Sequence, residues 1–266
     1  MNWIDNFFNK KPKIGLALSG GATLGAAHIG VLQVLEEAGI HPDYVAGTSV
    51  GALIGATYCA GVPLDEIKNM FFTVNWPTLI KVSLKNTLSI FDTQPMETFL
   101  KKKIGDINFE DLQIPFAAVT CDILTGNRVV LDHGPLAPAI RASASIPGLF
   151  SPIEMDDYLL VDGGVVDNLP VEQVKAMGAG YIIACDISYR TAITRKPENP
   201  FDMFQIMFNI MQDRGALISK EECDCYIRPN IAQFSCWGFA EAEKIMNEGR
   251  KAAIQALPQL FKVMKK

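Results

Sequence analysis

The chain has 266 residues, of which 49% are hydrophobic and 20% charged, and its formal net charge is −5 at neutral pH. This length accommodates one large α/β domain or two small ones. The acidic balance, without a basic stripe, argues against nucleic acid as a partner. The sequence has no apolar run of about eighteen residues that could span a bilayer. Its six cysteines lack zinc-site spacing, so they are interpreted as reduced thiols. Reduced thiols predict a cytoplasmic location.

Residues 1–13, MNWIDNFFNKKPK, form an amphipathic and basic segment at the N-terminal end of the sequence. Its apolar residues have helical spacing and precede a group of lysines: Trp3, Ile4, Phe7 and Phe8, then Lys10, Lys11 and Lys13. A segment of this kind can lie against the inner face of an anionic membrane as a peripheral contact. A short helix that covers the protein's own core has the same pattern, so both interpretations stay open.

Residues 14–266 alternate short apolar runs with helical patterns, which predicts a single α/β domain with a mainly parallel sheet flanked by helices. Strands are predicted at 14–18 and 44–46, each followed by a helix that ends at a glycine, Gly39 or Gly61. Segment 62–105 departs from this alternation and is predicted to be a helical cap or insertion. A hairpin at Thr125 and Gly126, two further strands and two long C-terminal helices complete the domain.

The stretch GLALSGGATLGAAHIG, residues 15–30, joins the first predicted strand to a helix through a glycine-rich turn. Such a turn presents main-chain N–H groups to an anion, either a nucleotide phosphate or the oxyanion of a reaction. A dinucleotide site would use Gly20, Gly21 and Gly25, with Asp43 as the ribose-binding acid. The glycine spacing is wrong for GxGxxG, however, and no GK[ST] follows.

The stretch GTSVG, residues 47–51, lies between the second predicted strand and the next helix. In that context a sharp turn holds the Ser49 hydroxyl outward, and the flanking glycines remove side chains that would collide there. The helix that follows adds a positive N-terminus near any developing negative charge. For the pentapeptide alone, a serine in an ordinary helix-capping turn is the alternative.

A serine nucleophile needs a base, and the sequence offers two kinds of candidate. Of the three histidines, His28 and His41 precede Ser49, so only His133 fits the chain order of an α/β-hydrolase. Asp162, in LLVDGGVVDNLP, ends an apolar strand at the position where α/β sheets present functional groups. An Asp-Gly turn is the alternative for this aspartate.

Together the glycine-rich turn, GTSVG and DGG resemble the patatin-like phospholipases, which are serine lipid hydrolases with a Ser–Asp dyad. The resemblance extends through ASASIPGLFSPI to DGGVVDNLPVE and is greatest to small bacterial single-domain members. It implies a patatin-like α/β/α sandwich, a lipid ester substrate, and no metal or cofactor. It also implies that Ser49 is the nucleophile and Asp162 the base of a fatty acyl ester hydrolase.

By the same resemblance, the oxyanion is bound by main-chain N–H groups of the glycine turn. The donors are expected at four positions: Gly20, Gly21 and Ala22, joined by Val50 beside the nucleophile. Asp167 and Asn168 are expected to brace the loop after Asp162.

Two residues depart from the family pattern. Ala22 replaces its third glycine, which matters where that residue needs a positive φ. Leu24 replaces a basic residue, so a positive charge is missing and preference for an anionic head group is in question. A catalytically silent lipid-binding or scaffold protein is therefore one alternative function, and a serine acyltransferase is another.

The predicted helix at 201–218 carries apolar residues at helical spacing: Met203, Phe204, Met207, Phe208 and Met211. This pattern is typical of a core helix, and a pliable wall of an acyl channel is the alternative.

Overall fold

A computed structural model describes residues 11–74, 76–83, 88–188, 196–236 and 238–264 of the chain. Its eleven strands within these residues are β1 Ile14–Leu18, β2 Tyr44–Thr48, β3 Lys81–Val82, β4 Ser89–Asp92, β5 Phe116–Asp122, β6 Asn127–Leu131, β7 Gly148–Phe150, β8 Ile153–Met155, β9 Tyr158–Asp162, β10 Tyr181–Cys185 and β11 Cys225–Ile227. The eight α-helices in the same ranges are α1 Ala26–Glu37, α2 Val50–Cys59, α3 Leu64–Thr73, α4 Gln94–Ile104, α5 Leu136–Ser143, α6 Val171–Ala176, α7 Pro200–Lys220 and α8 Ala242–Met264.

The central sheet has eight strands in the order β11-β10-β1-β2-β5-β9-β8, with β6 paired to β5 outside this path. Strands β11, β10, β1, β2 and β5 are parallel, as the strand–helix alternation predicts. The predicted hairpin at Thr125 and Gly126 is present as the antiparallel pair β5–β6. The predicted α/β class is therefore confirmed, whereas the short α5, β7 and β8 have no counterpart in the sequence-based prediction.

Strands β2 and β9 meet end to end along one edge of β5. Thr48, the last residue of β2, pairs with Val119 of β5, and Asp162, the last residue of β9, pairs with the next residue, Thr120. Strand β2 is parallel to β5 while β9 is antiparallel to it. The carboxyl ends of both strands therefore point toward each other, and this juxtaposition places the residues that follow β2 beside the end of β9.

Segment 62–105 is less purely helical than predicted. Besides α3, α4 and a 3₁₀ turn at Trp76–Leu79, it contains β3 and β4. These two strands form a small second sheet with β7, which comes from the α/β domain. The side chain of Arg141 on α5 connects the segment to the α/β domain through hydrogen bonds to Asp92, Thr93 and Glu97.

Helix α7 fits the core-helix interpretation only in part. Its inner face is buried through Phe208, but Met203, Met207 and Met211 are exposed. The three methionines therefore belong neither to the core nor to an enclosed channel. Of the helices in the described ranges, none combines the length and the apolar character needed to cross a membrane. The amphipathic part of segment 1–13 lies outside the described residues.

Candidate active site

Ser49 occupies a strained turn between β2 and α2. Its φ is 55° and its ψ −121°, a conformation that costs an L-residue about 1–3 kcal/mol and persists only where the surroundings enforce it. A Cβ on Gly51 would collide with the main-chain oxygens of Leu18 and Ser19, so this position of the motif needs glycine. The Ser49 N–H donates to Oγ of Ser143 at 2.9 Å, which fixes the turn from the side of α5.

Asp162 is fully buried next to this turn. Its Oδ1 accepts the N–H of Gly164 at 2.8 Å, whereas Oδ2 forms no hydrogen bond of ordinary geometry with any described residue. Burial raises the pKa of Asp162 to about 7, although the Ser49 hydroxyl and the Gly164 N–H both act to lower it. The structure thus brings together a strained serine and a carboxyl group that gains or loses its proton near neutral pH.

The three histidines do not contact Ser49. His133 is exposed and bonds to Asp132, and His41 is exposed as well. His28 is buried beneath the glycine turn, where its Nε2 lies 2.8 Å from the main-chain oxygen of Ser19 and its Nδ1 lies 3.2 Å from Sγ of Cys185. Burial lowers the pKa of His28 to about 4, so this ring supports the turn in its neutral form.

The glycine turn requires one correction to the expected set of N–H donors. The N–H of Gly20 donates to the main-chain oxygen of Asn168 at 3.2 Å, so the turn's own structure uses this donor. By contrast, the N–H groups of Gly21, Ala22 and Val50 form no hydrogen bond with any described residue. These three groups remain available to an anion beside Ser49.

Ala22 adopts a φ of 50°, in the left-handed region that glycine tolerates best. This conformation explains why the family pattern has a glycine here, and the alanine costs about 1–2 kcal/mol of strain. Leu24, the second departure, is fully buried in the main core. It is a packing residue beneath the turn rather than a surface residue that lacks a charge.

Asn168 and Asp167 brace the loop after Asp162, as expected. Nδ2 of Asn168 donates to the main-chain oxygen of Gly20 at 3.4 Å, so Asn168 holds Gly20 through both its backbone and its side chain. The Thr48 hydroxyl donates to the main-chain oxygen of Asp167 at 2.9 Å, and Arg128 bonds to its carboxylate at 3.0 Å. These bonds join the serine turn, the glycine turn and the Asp162 loop.

A mainly apolar cavity of about 400 Å³ opens beside Ser49, within the range of small-molecule pockets. Its walls come from the serine and glycine turns, from β7 and the residues between α5 and β7, and from segment 62–105. That segment contributes Phe71, Pro77, Leu79, Ile80, Thr93 and Met96. Sequence analysis predicted the segment but not that it lines the cavity, because its apolar residues lack a motif.

A profile of the family described as patatin-like phospholipase matches residues 16–175. The chain belongs to this family. The resemblance drawn from the three motifs is therefore confirmed at the level of the patatin-like family.

Individual patatin-like relatives match different shares of their own length. An uncharacterised NTE family protein of Mycobacterium tuberculosis is 36% identical over 183 residues, which cover 68% of this chain and 50% of that protein. Patatin-like phospholipase domain-containing protein 6 of Homo sapiens is 35% identical over 271 residues, 89% of this chain and 20% of that protein. The chain thus spans half the length, or less, of these curated relatives.

Among solved structures, VipD from Legionella pneumophila aligns with a TM-score of 0.61 over 94% of this chain and 67% of that chain. The aligned residues are 13% identical, so this likeness concerns the fold alone.

Proposed function

We propose that this chain is a lipid acyl ester hydrolase in which Ser49 is the nucleophile and Asp162 the general base. The observation that carries the proposal is the strained Ser49, which lies beside a buried carboxyl group and in the wall of an apolar cavity. Membership of a family of phospholipases supports a fatty acyl ester as the substrate. The cavity has the apolar lining that an acyl chain requires.

In the proposed reaction, Oγ of Ser49 bonds to the acyl carbonyl carbon while Asp162, as carboxylate, takes the hydroxyl proton. The free N–H groups of Gly21, Ala22 and Val50 bind the oxyanion, and such a donor lowers a barrier by about 3–4 kcal/mol. The alcohol leaves with the proton from Asp162. Water then attacks the acyl-enzyme, with Asp162 again as base, and releases the fatty acid.

A fluorophosphonate probe and a series of lipid esters of different chain length test this proposal. We expect the probe to label Ser49, and Ser49→Ala and Asp162→Asn each to abolish hydrolysis with the fold intact. Because the two residues act as one unit, the double variant is expected to be no worse than either single variant. Ser219→Ala, which removes a serine hydroxyl near the far end of α7, serves as the matched control and is expected to keep full activity.

The same assays separate the alternatives. Substantial hydrolysis by Ser49→Ala contradicts the mechanism, and a folded wild-type protein that neither reacts with the probe nor hydrolyses any ester indicates the silent scaffold. An acyltransferase yields a new ester in the presence of an acceptor alcohol where a hydrolase yields free fatty acid.

A further inference from the structure

The side chain of Gln212 on α7 points toward the candidate active site. The residue is 4% exposed, and no hydrogen bond joins its amide to the described residues. A Cβ placed on Gly164 would lie 2.6 Å from Nε2 of Gln212, and one placed on Gly20 would lie 3.4 Å from the same atom. The amide is therefore packed between the glycine turn and the turn that follows Asp162.

Side-chain oxygens of Asp162 and Asn168 lie close to this amide nitrogen. The Cβ position of Gly164 is also 3.0 Å from Oδ1 of Asp162 and 3.1 Å from Oδ1 of Asn168. Oδ2 of Asp162 and Oδ1 of Asn168 are buried and have no partner among the described residues. A glutamine amide nitrogen carries two hydrogens, so it can serve two acceptors at once.

We propose that Gln212 is a positioning residue whose amide nitrogen donates a hydrogen bond to the carboxylate of Asp162 when that group is ionised. The inference rests on the proposed function, in which Asp162 alternates between its neutral and its charged form. A buried carboxylate needs more donors than a neutral carboxyl group does. The last torsion of a glutamine is soft, so the amide can turn toward Asp162 while α7 stays in place.

Charged and titratable side chains near Asp162 do not supply this stabilisation. The elements packed around β9 and its following turn carry Cys121 and Asp122 on β5, Glu154 on β8, Arg141 on α5, and Asp202, Asp213, Arg214 and Lys220 on α7. Burial raises the pKa of Asp162, and the Ser49 hydroxyl and the Gly164 N–H lower it. A new donor or a new charge at position 212 is therefore expected to change that pKa clearly.

The test measures the pKa of Asp162 directly, by ¹³C NMR of side-chain carboxyl groups, with the resonance assigned by its loss in Asp162→Asn. Gln212→Met keeps the side-chain length and removes the donor, and we expect it to raise the pKa of Asp162 by about one unit. Gln212→Glu is isosteric and adds a negative charge, so we expect a larger rise. Gln205→Glu adds the same charge two turns earlier on α7 and is expected to leave the pKa unchanged.

Ester hydrolysis provides the second readout, because the acid limb of kcat/KM is expected to move with the NMR pKa in each Gln212 variant. An unchanged pKa in both variants, with only a lower Tm, overturns the proposal and assigns Gln212 to packing against Asn168. A shifted pKa in a protein that hydrolyses no ester supports the role of Gln212 and refutes the proposed function. Gln212→Glu keeps the test decisive where Gln212→Met does not fold.

Discussion

The hydroxyl of Ser143 holds the main chain of Ser49 in its strained conformation. Oγ of Ser143 accepts the Ser49 N–H at 2.9 Å and donates to the main-chain oxygen of Val119 at 2.6 Å. Ser143 is fully buried, so no water replaces either bond when the hydroxyl is removed. One side chain thus connects α5, the serine turn and β5.

We expect Ser143→Ala to lower the free energy of unfolding by about 1–3 kcal/mol, because a buried N–H loses its partner. Ester hydrolysis is expected to fall as well, since the turn is then less firmly held. Urea denaturation and hydrolysis kinetics measure the two effects. Ser145→Ala is the matched control: Ser145 is equally buried, but its hydroxyl donates only to the main-chain oxygen of Arg141 within α5. Equal losses in both variants contradict a specific role for Ser143.

The strain at Ala22 leads to a second prediction. With a φ of 50°, this residue gains from replacement by glycine, although glycine also makes the unfolded chain more flexible. We expect Ala22→Gly to raise the free energy of unfolding by about 0.5 kcal/mol and to keep hydrolysis intact. Ala38→Gly, at a right-handed position with φ −86°, is the control and is expected to lose stability. A loss of similar size in both variants shows that position 22 is not left-handed in solution.

Sequence motifs predicted the serine turn and Asp162 because both features depend on glycines close in the chain. GTSVG and DGG each specify a local backbone shape, and the fold needs only to bring the two together. Sequence analysis predicted Asp162 at the end of a strand in a mainly parallel sheet, but not that β9 is antiparallel to β5 and meets β2 end to end. That register depends on pairing between distant segments, which no local pattern encodes.

Ser143 and Gln212 illustrate what sequence analysis missed and why. Ser143 is 94 residues from Ser49, whose N–H it accepts, and no spacing rule connects the two serines. Gln212 lies in a helix whose sequence pattern is apolar, and that pattern indicates nothing about a single polar residue within it. The family resemblance implies the N–H of Gly20 as an oxyanion donor, yet the main-chain oxygen of Asn168 accepts it. Long-range hydrogen bonds decide the cases of Ser143 and Gly20.

Burial of Leu24 favours a packing role at this position over an effect of charge on head-group preference. An arginine here would place a guanidinium in the main core without a partner, so we expect Leu24→Arg to destabilise the protein by several kcal/mol and to reduce all activity. Leu24→Met, which conserves volume, is expected to cost less than about 1.5 kcal/mol. Thermal unfolding and kinetics on anionic and neutral lipid esters provide the comparison. A stable Leu24→Arg variant with a selective gain on anionic lipids contradicts the packing role and indicates that a charge at this position selects the head group.

The raised pKa of Asp162 predicts an unusual dependence of stability on pH. The folded protein holds the proton up to about pH 7, whereas the unfolded chain releases it near the ordinary value of 3.8. Between these two values the unfolded chain binds fewer protons, so this group's contribution to stability falls as pH rises. Above the folded pKa the whole penalty is present, on the order of 4 kcal/mol.

Asp162→Asn removes this penalty, so we expect the variant to unfold at a higher temperature than the wild type at about pH 8 and at nearly the same temperature near pH 4. Comparing the two proteins at each pH cancels the contribution of His28, which both of them share. Asp122→Asn is the control of opposite sign, because hydrogen bonds from Thr125 and neighbouring N–H groups lower the pKa of Asp122. That variant is expected to lose stability at neutral pH. A loss of stability in Asp162→Asn at high pH shows that the carboxylate is better satisfied in the folded protein than its unpartnered oxygen indicates.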